Sequence, residues 1–133
     1  MKAYERLINY AKVSTASEEG IGVSPSTQRQ FDLARMLVEE LRGLGVAAAE
    51  LTDTCYVYGH LPATPGHEGA PCLGFIAHMD TATELSGANV KPRIVHYEGG
   101  DIVLNEEKNI VMRAAEFESL AQQVGKDLIV TDG

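Results

Sequence analysis

The chain has 133 residues, 44% of them hydrophobic, and a formal net charge of −8. That length predicts one domain, 1–133, large enough to bury a core. The acidic balance argues against partners made of phosphate backbone or anionic membrane surface, and no apolar run approaches the roughly 20 residues that a bilayer requires. The two cysteines, Cys55 and Cys72, lie far apart and in no metal-type spacing. They read as reduced thiols, and the N-terminus carries no apolar signal core, so the expectation is a soluble, cytoplasmic protein.

Tyr4, Leu7, Ile8 and Ala11 recur at helical spacing and predict a first amphipathic helix, loosened by Ser14, Thr15 and Ser17. A stronger helix follows, with Ser24 as the expected cap and Pro25 in the first turn. Its apolar stripe is Phe31, Ala34, Leu37, Val38, Leu41 and Leu44, and Gly43 and Gly45 suit the exit. The stripe reads as packing on a sheet. Val46 to Leu51 is a candidate edge strand. Asp53-Thr54 turns the chain into Cys55 to Leu61, where Tyr56, Tyr58 and His60 alternate with Val57, Gly59 and Leu61. Three prolines and two glycines between Pro62 and Pro71 predict a loop that carries an exposed His67.

Leu73 to Ala77 is apolar on both alternating faces, the pattern of a central strand covered on each side. His78 and Asp80 follow at its carboxyl end, where ligands bind in open α/β sheets. An imidazole is a common zinc ligand, and a carboxylate two residues away can fix its tautomer and direction. His-x-Asp alone is a weak motif, and the spacing equally suits a strand-end histidine bonded to a loop, with Asp80 capping a turn.

Beyond it, Thr81 to Lys91 reads as a loop. Ile94, Val95 and Tyr97 predict a short strand closed by Gly99-Gly100. Ile102 to Leu104 and Ile110 to Met112 flank a polar stretch as a hairpin. His96 reads as an ordinary strand residue. Phe117 to Val124 predicts one or two helical turns ended by Gly125, and Leu128 to Val130 a last β run. Stopping two or three residues after an apolar strand, the sequence reads as part of a longer fold.

Several blocks resemble the peptidase T family of co-catalytic di-zinc metallopeptidases. They are Pro25-Ser26-Thr27 with the helix to Gly45, Gly74 to Thr81, Ser86 to Pro92, Gly99 to Ile102, and Leu128 to Gly133. The resemblance covers nearly the whole chain. It implies an α/β fold, the N-terminal segment of the catalytic domain: helices packed on a mixed sheet, centred on Leu73–Ala77 and incomplete. It implies His78 as a zinc ligand and Asp80 as the catalytic acid that orients it. It implies hydrolysis of the N-terminal bond of tripeptides, with two zinc ions in the complete site. The bridging aspartate, the glutamate base, the other ligands and the lid or dimerisation domain lie downstream in the family. The expectation is therefore weak or no zinc binding and no activity by this chain alone. No substrate-binding residue is assigned. The alternatives are a non-catalytic α/β domain that associates with itself or another protein through its unfinished sheet edge, and a plain ligand-binding domain with a structural His78.

Overall fold

A computed structural model describes all 133 residues. The residues group into two compact units, one formed by Met1–Val13 with Ala88–Gly133, the other by Ser14–Gly87.

In the second unit, helix α2 (Gln30–Gly43) buries Leu33, Ala34 and Val38. Its exit is a Schellman motif. Gly45 takes φ +95, its N–H donates to the Arg42 carbonyl, and the Val46 N–H donates to the Leu41 carbonyl. Val46 is thereby turned back onto the helix, where Val38, Val46 and Ala49 form a core with Leu41, Leu51 and Val57 beside it. Strands β1 (Glu50–Leu51) and β2 (Val57–Tyr58) pair antiparallel around a turn at Cys55, φ +66. Alternation leaves Tyr56 and Tyr58 stacked on the outer side, ring centroids 6.1 Å apart.

The first unit holds helix α1 (Ala3–Tyr10), which buries no residue. Strand β3 (Arg93–Tyr97) pairs antiparallel with β6 (Lys126–Val130), and β4 (Ile102–Asn105) pairs with β5 (Ile110–Met112) as the expected hairpin. Leu120, on a 3-10 helix over Glu118–Gln123, joins Tyr97, Ile102 and Val130 in one core. Burying such side chains contributes about 1.5–3 kcal/mol each. The Tyr97 hydroxyl donates to the Gly100 carbonyl at 2.8 Å, so its one polar group is satisfied.

The α/β class and the unclosed sheet agree with expectation. Three local readings do not. Leu73–Ala77 is not a central strand: no strand runs beside it, and Leu73, Phe75 and Ile76 are 76%, 90% and 101% exposed. A central strand requires a hydrogen-bonding neighbour on each edge. In this unit β1 and β2 are two residues long and pair with each other. The named strands form three separate antiparallel pairs, and parallel pairing is confined to one bridge, Ala16 to Thr81. Finally, α2 begins at Gln30, so Ser24 and Pro25 lie in the irregular segment before it and cap nothing.

Replacing Gly45 with alanine puts a Cβ at φ +95, where l-residues are strained. The expected loss is about 1–2 kcal/mol in urea unfolding, whereas Gly43→Ala, inside the helix with open space around it, is expected to stabilise slightly.

Candidate functional site

His78 and Asp80 lie in a stretch without helix or strand, Gly59 to Asp80. Their i, i+2 spacing brings the side chains together, with His78 Nδ1 3.2 Å from Asp80 Oδ1. When protonated, Nδ1 donates to that oxygen and leaves the Nε2 lone pair free. The His78 ring is 85% exposed and Asp80 43%. The imidazole is therefore neither sealed inside nor turned from the acid.

Thr81, the next residue, is where this stretch becomes tied down. Its N–H donates to the Thr15 carbonyl at 3.3 Å, and its carbonyl accepts the Ser17 N–H at 3.1 Å and the Ser17 hydroxyl at 3.1 Å. Thr15 is buried. The sequence offers Thr15 and Ser17 only as residues that loosen a helix. Their role as an anchor is decided by Thr81, 64 positions beyond Ser17, which no local pattern announces. Hydroxyl residues on both sides of an alanine were the available signal.

Does the donor set suit zinc? No group of three or more His, Cys, Asp or Glu side chains comes together anywhere in the chain. A catalytic zinc takes three protein ligands and keeps one open position. His78 offers one nitrogen and Asp80 Oδ1 lies against the other, so these residues do not by themselves make up a zinc centre.

His60 and His67 are exposed. His96 is in the other unit, on β3, where Nδ1 lies 2.8 Å from Asp127 Oδ1 of β6, its register partner. That ion-pair geometry is exposed on both sides and reads as a cross-strand contact.

Three groups have shifted proton affinities. Burial pushes the Cys55 thiol up, partly offset by the Arg35 charge, while Cys72 is exposed. In the loop, the Gly66 N–H bonded to Glu68 holds that carboxyl below its usual range. In the first unit, the Lys91 N–H bonded to Asp132 Oδ1 at 2.9 Å lowers that carboxyl likewise. Asp132 edges an open groove of about 500 Å³ with Lys91, Arg93, Glu106 and Glu107. The Arg93 guanidinium there donates to the carbonyls of Val103 and Leu104.

Two measurements check these environments. Iodoacetamide is expected to label Cys72 well before Cys55 in the native chain, read by peptide mass spectrometry, because the thiolate is the reacting form. Carboxyl NMR should show Asp132 titrating below an ordinary aspartate. A depressed native pKa means its hydrogen bond contributes stability above the ordinary aspartate range, and that contribution is lost as pH falls through the native value. Titration at the ordinary value would contradict the bond to Lys91.

No protein-family model matches the chain. Curated relatives do. The chain is 47% identical over 131 residues to a peptidase T of Alkaliphilus oremlandii, 48% over 130 residues to one of Geobacillus kaustophilus, and 47% over 133 residues to one of Bacillus licheniformis. These matches take in 97%, 97% and 99% of this chain but 32%, 31% and 32% of the relatives. The chain thus spans about a third of the length of the curated relatives it matches.

Proposed function

We propose that the chain, which matches peptidase T relatives over about a third of their length, forms the part of a zinc-dependent tripeptide aminopeptidase of that family that contributes one metal-ligating histidine. The observation that carries this reading is His78 bonded through Nδ1 to Asp80, with Nε2 free and the ring open to solvent. In this reading Nε2 is the ligating atom. Asp80 holds the proton on Nδ1, keeps the lone pair on Nε2 and raises its basicity, as carboxylates do behind metal-bound histidines. Asp80 acts at the site only through that histidine.

We assign the remaining ligands and the general base to the two-thirds of the relatives' length outside this chain. On that assignment 1–133 alone binds zinc weakly and does not hydrolyse peptides, since one imidazole competes poorly with water and no base is positioned. The substrate is a small peptide, and a preference for tripeptides with a free amino end is part of the proposal. No helix here is long and apolar enough to cross a membrane. We place the enzyme in the cytoplasm, where Cys55 and Cys72 stay reduced.

A chimera tests the reading. Residues 1–133 replace the matched third of the Geobacillus kaustophilus relative, and tripeptide hydrolysis and bound zinc are measured. The chimera is expected to be active with zinc. His78→Ala should lower kcat/KM by about 10³ or more and reduce zinc content; Asp80→Asn should cost about 10–100-fold. A folded chimera in which His78→Ala retains parental activity and zinc would overturn the assignment.

A further inference from the structure

We infer that the hydrogen-bond network of residues 15–17 with Ser26 and Thr27 positions the His78–Asp80 pair, with Thr27 as its central positioning residue. This deepens the metal-ligand reading and rests on it for its functional meaning. The pair needs such a device, because neither a helix nor a ladder holds Gly59 to Asp80.

The support runs through Thr81. Both of its backbone groups are bonded to Thr15 or Ser17, so the residue after Asp80 is fixed at its N–H and its carbonyl together. Residues 15–17 form no helix or named strand and need support of their own. Ala16, which forms the bridge with Thr81, has its carbonyl bonded by the Thr27 hydroxyl at 2.9 Å in a buried position. The Glu18 N–H donates to Ser26 Oγ at 3.0 Å. Gln30, the first residue of α2, donates from Nε2 to Ser26 Oγ and Thr27 Oγ1, both at 3.2 Å. The chain of contacts therefore starts on a helix anchored by Leu33, Ala34 and Val38 and ends one residue from Asp80.

Thr27 carries the most. It is 9% exposed and bonds the carbonyl of a residue that is itself 9% exposed. Removing its hydroxyl leaves that carbonyl in a buried place without this donor, which is costlier than losing an exposed bond. The 15–17 segment then moves to regain a partner and Thr81 loses its register. Asp80 no longer fixes the imidazole, and the Nδ1–H form loses its preference.

The experiment reads the His78 tautomer in the zinc-free 133-residue chain. Long-range proton–nitrogen NMR of the imidazoles is recorded at about pH 8, where histidine is neutral, with His78→Gln for assignment and Asp80→Ala as the unpaired reference. The native chain is expected to show His78 as the Nδ1–H tautomer. Thr27→Val should lower the Nδ1–H to Nε2–H ratio by about fivefold, the effect of one ordinary hydrogen bond, and Thr27→Ser should restore it. A folded Thr27→Val chain with the native His78 pattern overturns the proposal. Should Thr27→Val not fold, Ser17→Ala is read in the same way. Removing that hydroxyl from the Thr81 carbonyl should shift the ratio part of the way, and an unchanged ratio overturns the proposal. Zinc is absent throughout, so failure here leaves the ligand assignment standing, and failure of the chimera leaves this positioning role standing.

Discussion

One backbone contact ties down the chain beside the candidate site: the parallel bridge of Ala16 with Thr81. It joins two segments that each lack regular structure, and it is made from both sides of Thr81. Side-chain hydroxyls reinforce it at Ser17 and Thr27. A single exposed bridge would open readily. Thr81 itself is exposed, but Thr15, Ala16 and Thr27 are buried, where an unmade hydrogen bond costs more than it does in water. The His78 ring contacts Asp80, and Asp80 is followed directly by the anchored Thr81.

The cores account for the rest of the order. In one unit the Schellman exit of α2 folds Val46 under the helix, and β1 and β2 complete that small core. In the other, β3 and β6 pair over five positions, and Leu120 closes the core that they share with Ile102. Both cores consist mainly of aliphatic side chains at sites where the polar backbone is already paired. Burial therefore costs little in unmade hydrogen bonds. Leu73, Phe75 and Ile76 are the opposite case, apolar side chains without a covering layer, and an uncovered patch of this kind is where a neighbouring surface would gain most.

The local signals were legible where the code is local. Helical spacing located α1 and α2, Gly45 marked the exit of α2, Gly99-Gly100 closed β3, and the polar run from Asn105 to Asn109 marked the β4–β5 hairpin. Period-2 alternation placed Tyr56 and Tyr58 on one side of β2. Two of the three readings that went astray share one reason. Ser24 and Pro25 carry cap chemistry, and Leu73–Ala77 carries strand chemistry, yet neither becomes what its residues favour. A cap needs a helix that starts beside it, and a central strand needs two neighbours. Composition records neither.

The sequence alone therefore determined the α/β character, the positions of the helices and most of the short strands, and the pairing of an imidazole with a carboxylate two residues away, because each depends on residues within a turn or two of one another. The tertiary structure alone decided that Leu73–Ala77 stands uncovered, that His78 stays open to solvent, and that Thr81 is bonded to Thr15 and Ser17 while the Thr27 hydroxyl bonds Ala16 between them. Those outcomes turn on which distant segments meet, and the free energy of such meetings is not written in any one stretch of chain.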